Sequence, residues 1–296
     1  MGELKRSMMI SVVIPCGSGV GMLLEQLGAL EGASCPEPWE VIVVDNGFTT
    51  SEPVGDRLDR FASSLPGFKV VVAPDKKGAG YARNVGVDAA KGDKIAFLDA
   101  DDVADEGWLW AMSRALDDHA VVASRWDIEM LNDPDVRATR KNGQATGVRR
   151  YLHPNYLDHA GGCGLGVRRA AFDQVGGFDE QFLLLEDTDL TWRLQLAGNE
   201  LAFAHDAVVH IRFRPTSRGS FRQAYGYGKY NVLLYKTYRE RGMPKLTFQT
   251  GLRSIGALIA NSIQLANPRS RQKFLRSLGF QLGRIGGSIA YVIWGI

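Results

Sequence analysis

Three carboxylates stand within four positions at Asp99, Asp101 and Asp102, directly after the apolar run Ile95-Ala96-Phe97-Leu98. A short apolar run bounded by Gly92-Asp93 reads as a buried central strand. The C-terminal ends of such strands are where open α/β sheets bind ligands. Anions this close repel one another, so a cation is expected among them, and hard oxygen donors suit Mg²⁺ or Mn²⁺. The alternative is a solvated acidic turn, with Asp102 or Asp105 capping a helix that starts near Glu106.

Glu186-Asp187 is a second acidic pair, set after Phe182-Leu183-Leu184-Leu185 and before a helical stripe of Leu190, Leu194 and Ala197. An apolar strand delivering two carboxylates would place a general base. Acids in a first helical turn also simply favour the macrodipole and cap free amides. His210 closes a short apolar run beside Arg212 and Arg214, as a structural hydrogen-bonding residue or a metal ligand. Arg83-Asn84 follows glycines at a helix start and could meet phosphate or face solvent. Asp45 ends the run Val41–Val44, where a strand-end acid can accept from a base or ribose. Four glycines between Gly161 and Gly166 allow a backbone to approach a ligand or another strand, or to bend tightly.

The elements that would position these residues alternate along the first hundred positions. Strands are expected at Ile10–Pro15, Val41–Val44, Phe68–Val72 and Lys94–Leu98. Helices are expected over 21–30, 55–65 and from about Gly80, where Ala82, Val85, Ala89 and Ala90 share a face. This alternation predicts an α/β fold with a parallel, Rossmann-like sheet. The polar stretch Asn132–Arg149 reads as a long mobile loop. Ala170–Val175 reads as a short helix stopped by Gly176-Gly177, Leu201–Ala204 and Ala207–Ile211 as two short strands, and the chain beyond Ser217 as helices.

Composition sets the bounds. The 296 residues are 45% hydrophobic and 23% charged, ordinary for a globular chain with a core. The net charge of +2 hides an asymmetry. From Arg212 onward there are 15 basic residues against one acid, Glu240, which leaves 20 basic and 32 acidic residues before it. Cys16, Cys35 and Cys163 have no metal-ligand spacing, so a reduced, cytoplasmic compartment is expected. The apolar run Met8–Val13 is too short for a signal peptide. No stretch of eighteen apolar residues suggests a simple spanning helix.

In their order and spacing, six segments resemble the family 2 glycosyltransferases over about residues 9–215. They are Val12-Val13-Ile14-Pro15-Cys16, Val43-Val44-Asp45-Asn46-Gly47, Gly80-Tyr81-Ala82-Arg83-Asn84-Val85-Gly86, Phe97-Leu98-Asp99-Ala100-Asp101-Asp102, Gly176-Gly177-Phe178-Asp179-Glu180 and Glu186-Asp187-Thr188-Asp189-Leu190. The resemblance implies a GT-A fold, with a mostly parallel central sheet flanked by helices. It implies transfer of a sugar from a nucleotide-sugar, UDP-linked as the first guess, to an acceptor hydroxyl with inversion. Carried over, Pro15, Cys16 and Asp45 line the nucleobase site, while Arg83, Asp99 and Ala100 meet the rest of the donor. Asp99, Asp101 and His210 hold Mn²⁺ or Mg²⁺, Asp187 is the base, and Gly162, Cys163 and Glu186 face the acceptor. The catalytic domain is expected over 1–215, with a nucleotide-binding part at about 8–125 and an acceptor part at about 126–215.

Two departures qualify the resemblance. The Gln-x-x-Arg-Trp motif of processive polysaccharide synthases is missing after the base, where Leu190-Thr191-Trp192-Arg193-Leu194 stands instead, which points to a non-processive enzyme acting on a glycan or lipid-linked glycan. Cys163 takes the place of the usual Asn in the glycine-rich segment. Residues 216–296 form a helical extension outside the shared motifs. There Phe221, Tyr225, Tyr227, Tyr230, Tyr235 and Tyr238 interleave with Arg222, Lys229, Lys236 and Arg239, and Ile285–Ile296 is largely apolar. Such a pattern suits an anionic membrane surface on the cytoplasmic face, or core packing and homo-oligomer formation. No nucleic-acid reader motif is present. A nucleotidyltransferase and a catalytically silent scaffold of the same fold remain the alternatives.

Overall fold

The computed structural model describes residues 8–48, 57–151, 155–214, 216–245, 256 and 268–293. The chain forms two compact units, one of residues 1–127, 143–149 and 159–211, the other of residues 128–142, 150–158 and 212–296.

The first unit is built on one eight-stranded sheet of order β3-β2-β1-β4-β7-β6-β8-β5. Its strands are β1 (Ile10–Cys16), β2 (Trp39–Asp45), β3 (Lys69–Val72), β4 (Lys94–Phe97), β5 (Val103–Ala104), β6 (Val121–Asp127), β7 (Leu165–Arg168) and β8 (Leu201–His210). Flanking them are α1 (Val20–Glu31), α2 (Phe61–Ser64), α3 (Ala79–Ala89), α4 (Trp108–Asp118), α5 (Arg169–Gln174) and α6 (Glu186–Leu196). Strands β1, β2 and β4 are apolar at almost every position because both sheet faces are covered; Val12, Val13, Ile14, Val41–Val44 and Ile95–Phe97 are wholly buried.

Register decides which residues share the sheet edge. In the parallel part, Cys16 pairs with Asp45 and Val13 with Phe97, so Cys16, Asp45 and the acids after Phe97 emerge on one edge. Strand β7 then runs antiparallel to β4, Leu165 opposite Phe97, which brings Gly162 and Cys163 beside Leu98 and Asp99. The sheet is therefore mixed: β7 pairs antiparallel with both β4 and β6, and β5 with β8.

Four expectations need correction. Residues 182–185 form an irregular bend rather than a strand. Residues 201–211 are not two strands: β8 runs unbroken over Leu201–His210, and its pairing with β6 shifts register between Ser124 and Arg125, which accommodates exposed His205 and Asp206. The stretch 132–149 is not simply a mobile loop, since it holds a helical turn, Pro134–Arg137, and a buried glutamine, Gln144. Of the helix expected over 55–65, residues 55 and 56 lie outside the described residues and only Phe61–Ser64 is α-helical among the rest.

The second unit contains α7 (Ser217–Tyr238) and α8 (Pro268–Tyr291). They meet backbone to backbone along glycines. A Cβ on Gly283 would collide with the Tyr225 carbonyl, and one on Gly279 would come within 2.7 Å of the Phe221 carbonyl. Among the described residues no helix is long and apolar enough to cross a membrane. Trp294 lies outside them.

Candidate active site

Arg83 is the hub. It rises from the first turns of α3 and is almost wholly buried, so the reading in which it faces solvent does not hold. One guanidinium nitrogen donates to Glu186 Oε1 at 2.7 Å and the other to Asp99 Oδ1 at 2.6 Å. Its face lies 5.3 Å from the centre of the Phe178 ring. Two sequence-distant segments, one at Asp99 and one spanning Phe178 to Glu186, are thus held by one side chain. Gly162 borders the same guanidinium, and a Cβ there would lie 2.7 Å from it, so a larger residue would have to displace Arg83.

The charges follow from this burial. Burial opposes the Arg83 charge, but Asp99 and Glu186 outweigh it and hold the pKa above the usual value. Burial pushes the Glu186 carboxyl up to about 7; Arg83 pulls the other way and neighbouring Asp187 adds to the rise. The guanidinium therefore stays charged, and the proton exchangeable near neutrality belongs to Glu186.

Asp187 is fixed at the N-terminus of α6. Its Oδ2 accepts from the Gly162 amide at 2.9 Å, and its Oδ1 from the Thr188 amide at 2.6 Å. The chain enters this helix through Leu185 at φ 64°, a left-handed conformation that costs a non-glycine residue about 1 kcal/mol. Such strain concentrates at functional sites. Behind it, Arg193 clasps Asp189 at 2.6 and 2.8 Å and donates to the Val175 and Gly177 carbonyls, tying α6 to the Gly176-Gly177 turn. Asn84 completes the frame, exchanging hydrogen bonds of 2.9 Å with the Phe178 backbone in both directions.

At the acidic turn, oxygens of Asp99 and Asp102 and the Cys163 sulfur lie within 4.8 Å of one another. The Asp99 amide donates to Cys163 Sγ at 3.3 Å. Burial, with Asp102 and Asp99 nearby, holds the Cys163 thiol well above its usual pKa, so it is protonated while no cation lies beside it. The remaining donors are carboxylate oxygens, and this set fits a divalent cation of the Mg²⁺ or Mn²⁺ kind. Asp101 is partly exposed in the same turn, next to Ala100. His210 stands outside that group: its Nδ1 is 3.0 Å from Asp127 and its Nε2 is 3.5 Å from Asp105.

At the far end of the edge, Cys16 donates to the Ser18 carbonyl at 3.5 Å, while Pro15 precedes it opposite Val44. Asp45 accepts from the Gly47 and Phe48 amides at 2.8 and 2.9 Å. Three contributors escaped sequence reasoning. Asn46 links the Ala73 and Lys76 carbonyls to the Gly78 amide. Lys77 donates to the Asn46 carbonyl at 2.9 Å. Gln144 accepts from the Gly161 amide at 3.0 Å and donates to the Ser124 carbonyl, supporting the glycine segment. A lone glutamine in a polar stretch carries no signal; Asn46 at a strand end carries a weak one.

Comparison with known proteins agrees with this geometry. Residues 11–176 match Glycosyl transferase family 2, and residues 148–294 match Glycosyl transferase family group 2. The chain is 28% identical over 292 residues to a pre-mycofactocin glycosyltransferase of Mycobacterium tuberculosis, covering 97% of this chain but 56% of that protein. It thus spans little more than half the length of that relative. It is 25% identical over 207 residues to glycosyltransferase AglE of Haloferax volcanii, covering 70% of this chain and 67% of that one. The mannosyltransferase PcManGT of Pyrobaculum calidifontis, solved with GDP-Man and Mn²⁺, has a TM-score of 0.62 at 15% identity, over 96% of this chain and 88% of that one. S. aureus TarS 1-349 in complex with UDP-GlcNAc has a TM-score of 0.56 at 16% identity, over 96% and 92%. At such identities the solved structures speak for the GT-A fold alone. The family match spans more than half of the chain, and so the protein belongs to glycosyl transferase family 2.

Proposed function

We propose that the protein moves a sugar from a nucleoside-diphosphate donor, a UDP-sugar first among those to test, to an acceptor hydroxyl with inversion. The observation that carries this reading is the Arg83 bridge: it ties Asp99, at the sheet edge, to Glu186, the neighbour of Asp187. The donor lies along the edge marked by Pro15, Cys16, Asp45, Arg83, Asp99 and Ala100. The acceptor lies against Gly162, Cys163 and Glu186.

Asp187 takes the proton of the acceptor hydroxyl as its oxygen bonds to the anomeric carbon and the bond to the diphosphate breaks. Its two oxygens are oriented by amide donors and keep lone pairs for that proton. A single displacement inverts the carbon. Asp99 and Asp101 would hold Mn²⁺ or Mg²⁺, with Asp102 offering a further oxygen close to that of Asp99, and the ion would offset charge on the departing diphosphate. His210 would join them only by exchanging its contact with Asp105. The acceptor is a glycan or lipid-linked glycan, extended one sugar at a time at the cytoplasmic face of a membrane.

Calorimetric titration of UDP, GDP and TDP with and without Mn²⁺, on the protein and on Asp101→Ala, tests the donor side. Metal-dependent binding of one nucleotide, lost in the variant, is expected; binding of none would refute the reading. Asp187→Asn should keep that nucleotide affinity and lower transfer by about 10² to 10⁴-fold.

A further inference from the structure

Among the described residues of the sheet-bearing unit, one partly buried arginine is left without a bond. Arg83 and Arg193 hold carboxylates. Arg125 donates to the His205 carbonyl, and Arg168 and Arg169 donate to main-chain carbonyls. The guanidinium of Arg149, also half-buried, makes no hydrogen bond or ion pair among the described residues. It lies over the Trp126 ring, 5.3 Å from the ring centre. Gly143 faces the same side chain and brings it no partner; even an added Cβ would stay 3.5 Å from Nε.

The place of this cation is tied to the segment that holds Asp187. Trp126 Nε1 donates to the Cys163 carbonyl at 3.0 Å, and its ring packs so closely on Gly161 that a Cβ there would collide with it. The next residue, Gly162, gives its amide to Asp187. One indole therefore stands between the Arg149 guanidinium and the glycine segment. Across the backbone, Arg149 and His159 exchange hydrogen bonds of 2.8 Å. Burial, with the Arg149 charge adding to it, pushes the His159 imidazole down to about 3, so that neighbour is neutral and supplies no counter-charge.

A guanidinium drawn partly out of water normally acquires an anion. Stacking on an indole uses the face of the group and leaves its N–H edge, which fits two oxygens of a carboxylate or phosphate. We propose that Arg149 grips an oxyanion carried by the acceptor, a carboxylate or a phosphate. This rests on the acceptor placement proposed above, against Gly162 and Cys163, and narrows the substrate class to acidic acceptors.

Ligand-observed NMR titration of the full chain, with Mg²⁺ and the nucleotide selected by calorimetry present, compares methyl glucuronide, glucose 6-phosphate and methyl glucoside as probes. One charged probe should bind about tenfold tighter than the neutral one, as expected of a hydrogen bond to a charged group. Which of the two does so identifies the oxyanion. Arg149→Gln, which breaks no hydrogen bond of the fold, should abolish the preference and leave nucleotide affinity unchanged. Arg149→Lys should keep part of the preference, since the charge remains and the fork is lost. Equal binding of charged and neutral probes, or a preference that survives Arg149→Gln, would overturn the inference. So would a loss of nucleotide affinity in Arg149→Gln, which would place its effect on the donor. Failure of the underlying reading is distinct: the unaltered chain would then bind no nucleoside diphosphate at all.

Discussion

Replacing Arg83 by Met tests the architecture of the site most directly. The side chain is 3% exposed and answers two carboxylates at once, Glu186 at 10% and Asp99 at 35% exposure. Removing one partner of a buried ion pair costs about 3 to 5 kcal/mol. Asp99 is a third exposed, and water will screen most of its share. The cost therefore falls on Glu186, which can escape by taking a proton, since its carboxyl already sits near 7. We expect Arg83→Met to lose about 3 kcal/mol of unfolding free energy at pH 8 and about 1 at pH 5.5, where the pairing with Glu186 is already weakened. Urea unfolding of Arg83→Met, Glu186→Gln and the double variant at both pH values gives the coupling by a double-mutant cycle. Arg83→Lys should recover little, because one ammonium cannot fork to two carboxylates. A loss below about 1 kcal/mol that does not change with pH would refute the reasoning.

Two further outcomes follow from the same physics. The Glu186 carboxyl is raised from 4.5 to about 7 on folding, so the folded chain binds the extra proton between these values. Its contribution makes stability fall as pH rises through that window, by up to about 3 kcal/mol, and Glu186→Gln should flatten the slope in pH-dependent unfolding. Gly283→Ala, whose Cβ meets the Tyr225 carbonyl, should destabilise the helical unit by about 1 to 3 kcal/mol. Gly28→Ala in α1 meets nothing within 4 Å and should be neutral or stabilising by up to about 1 kcal/mol, measured by the same denaturant series.

The strands β1, β2 and β4 were legible because burial on both faces leaves near-continuous apolar runs. Strand β7 was not, since a glycine demanded by close approach interrupts it: a Cβ on Gly166 would lie 2.3 Å from the Met112 sulfur. The bend at 182–185 imitated a strand through its leucines, and only the backbone shows Leu185 in the left-handed region. Among the three acids after β4, spacing alone does not distinguish buried Asp102 from its partly exposed neighbours. The order of motifs was readable, whereas their mutual bonds were not. Asn84 with Phe178, and Arg83 with Glu186, join residues 94 and 103 positions apart. Such pairings belong to the fold and leave no trace in local pattern.

The glycine seam between α7 and α8 has a consequence for how this chain can change over time. Where two helices meet through backbone atoms, the pairing is specified by a few small residues, and among the described residues another flank of α8 stays exposed at Leu282, Ile285 and Ile289. Substitutions at Leu282, Ile285 or Ile289 can accumulate without altering how the helices dock. A lineage can therefore inherit the hairpin as a fixed chassis and retune its outward flank to a new neighbour, leaving the sheet-bearing unit untouched.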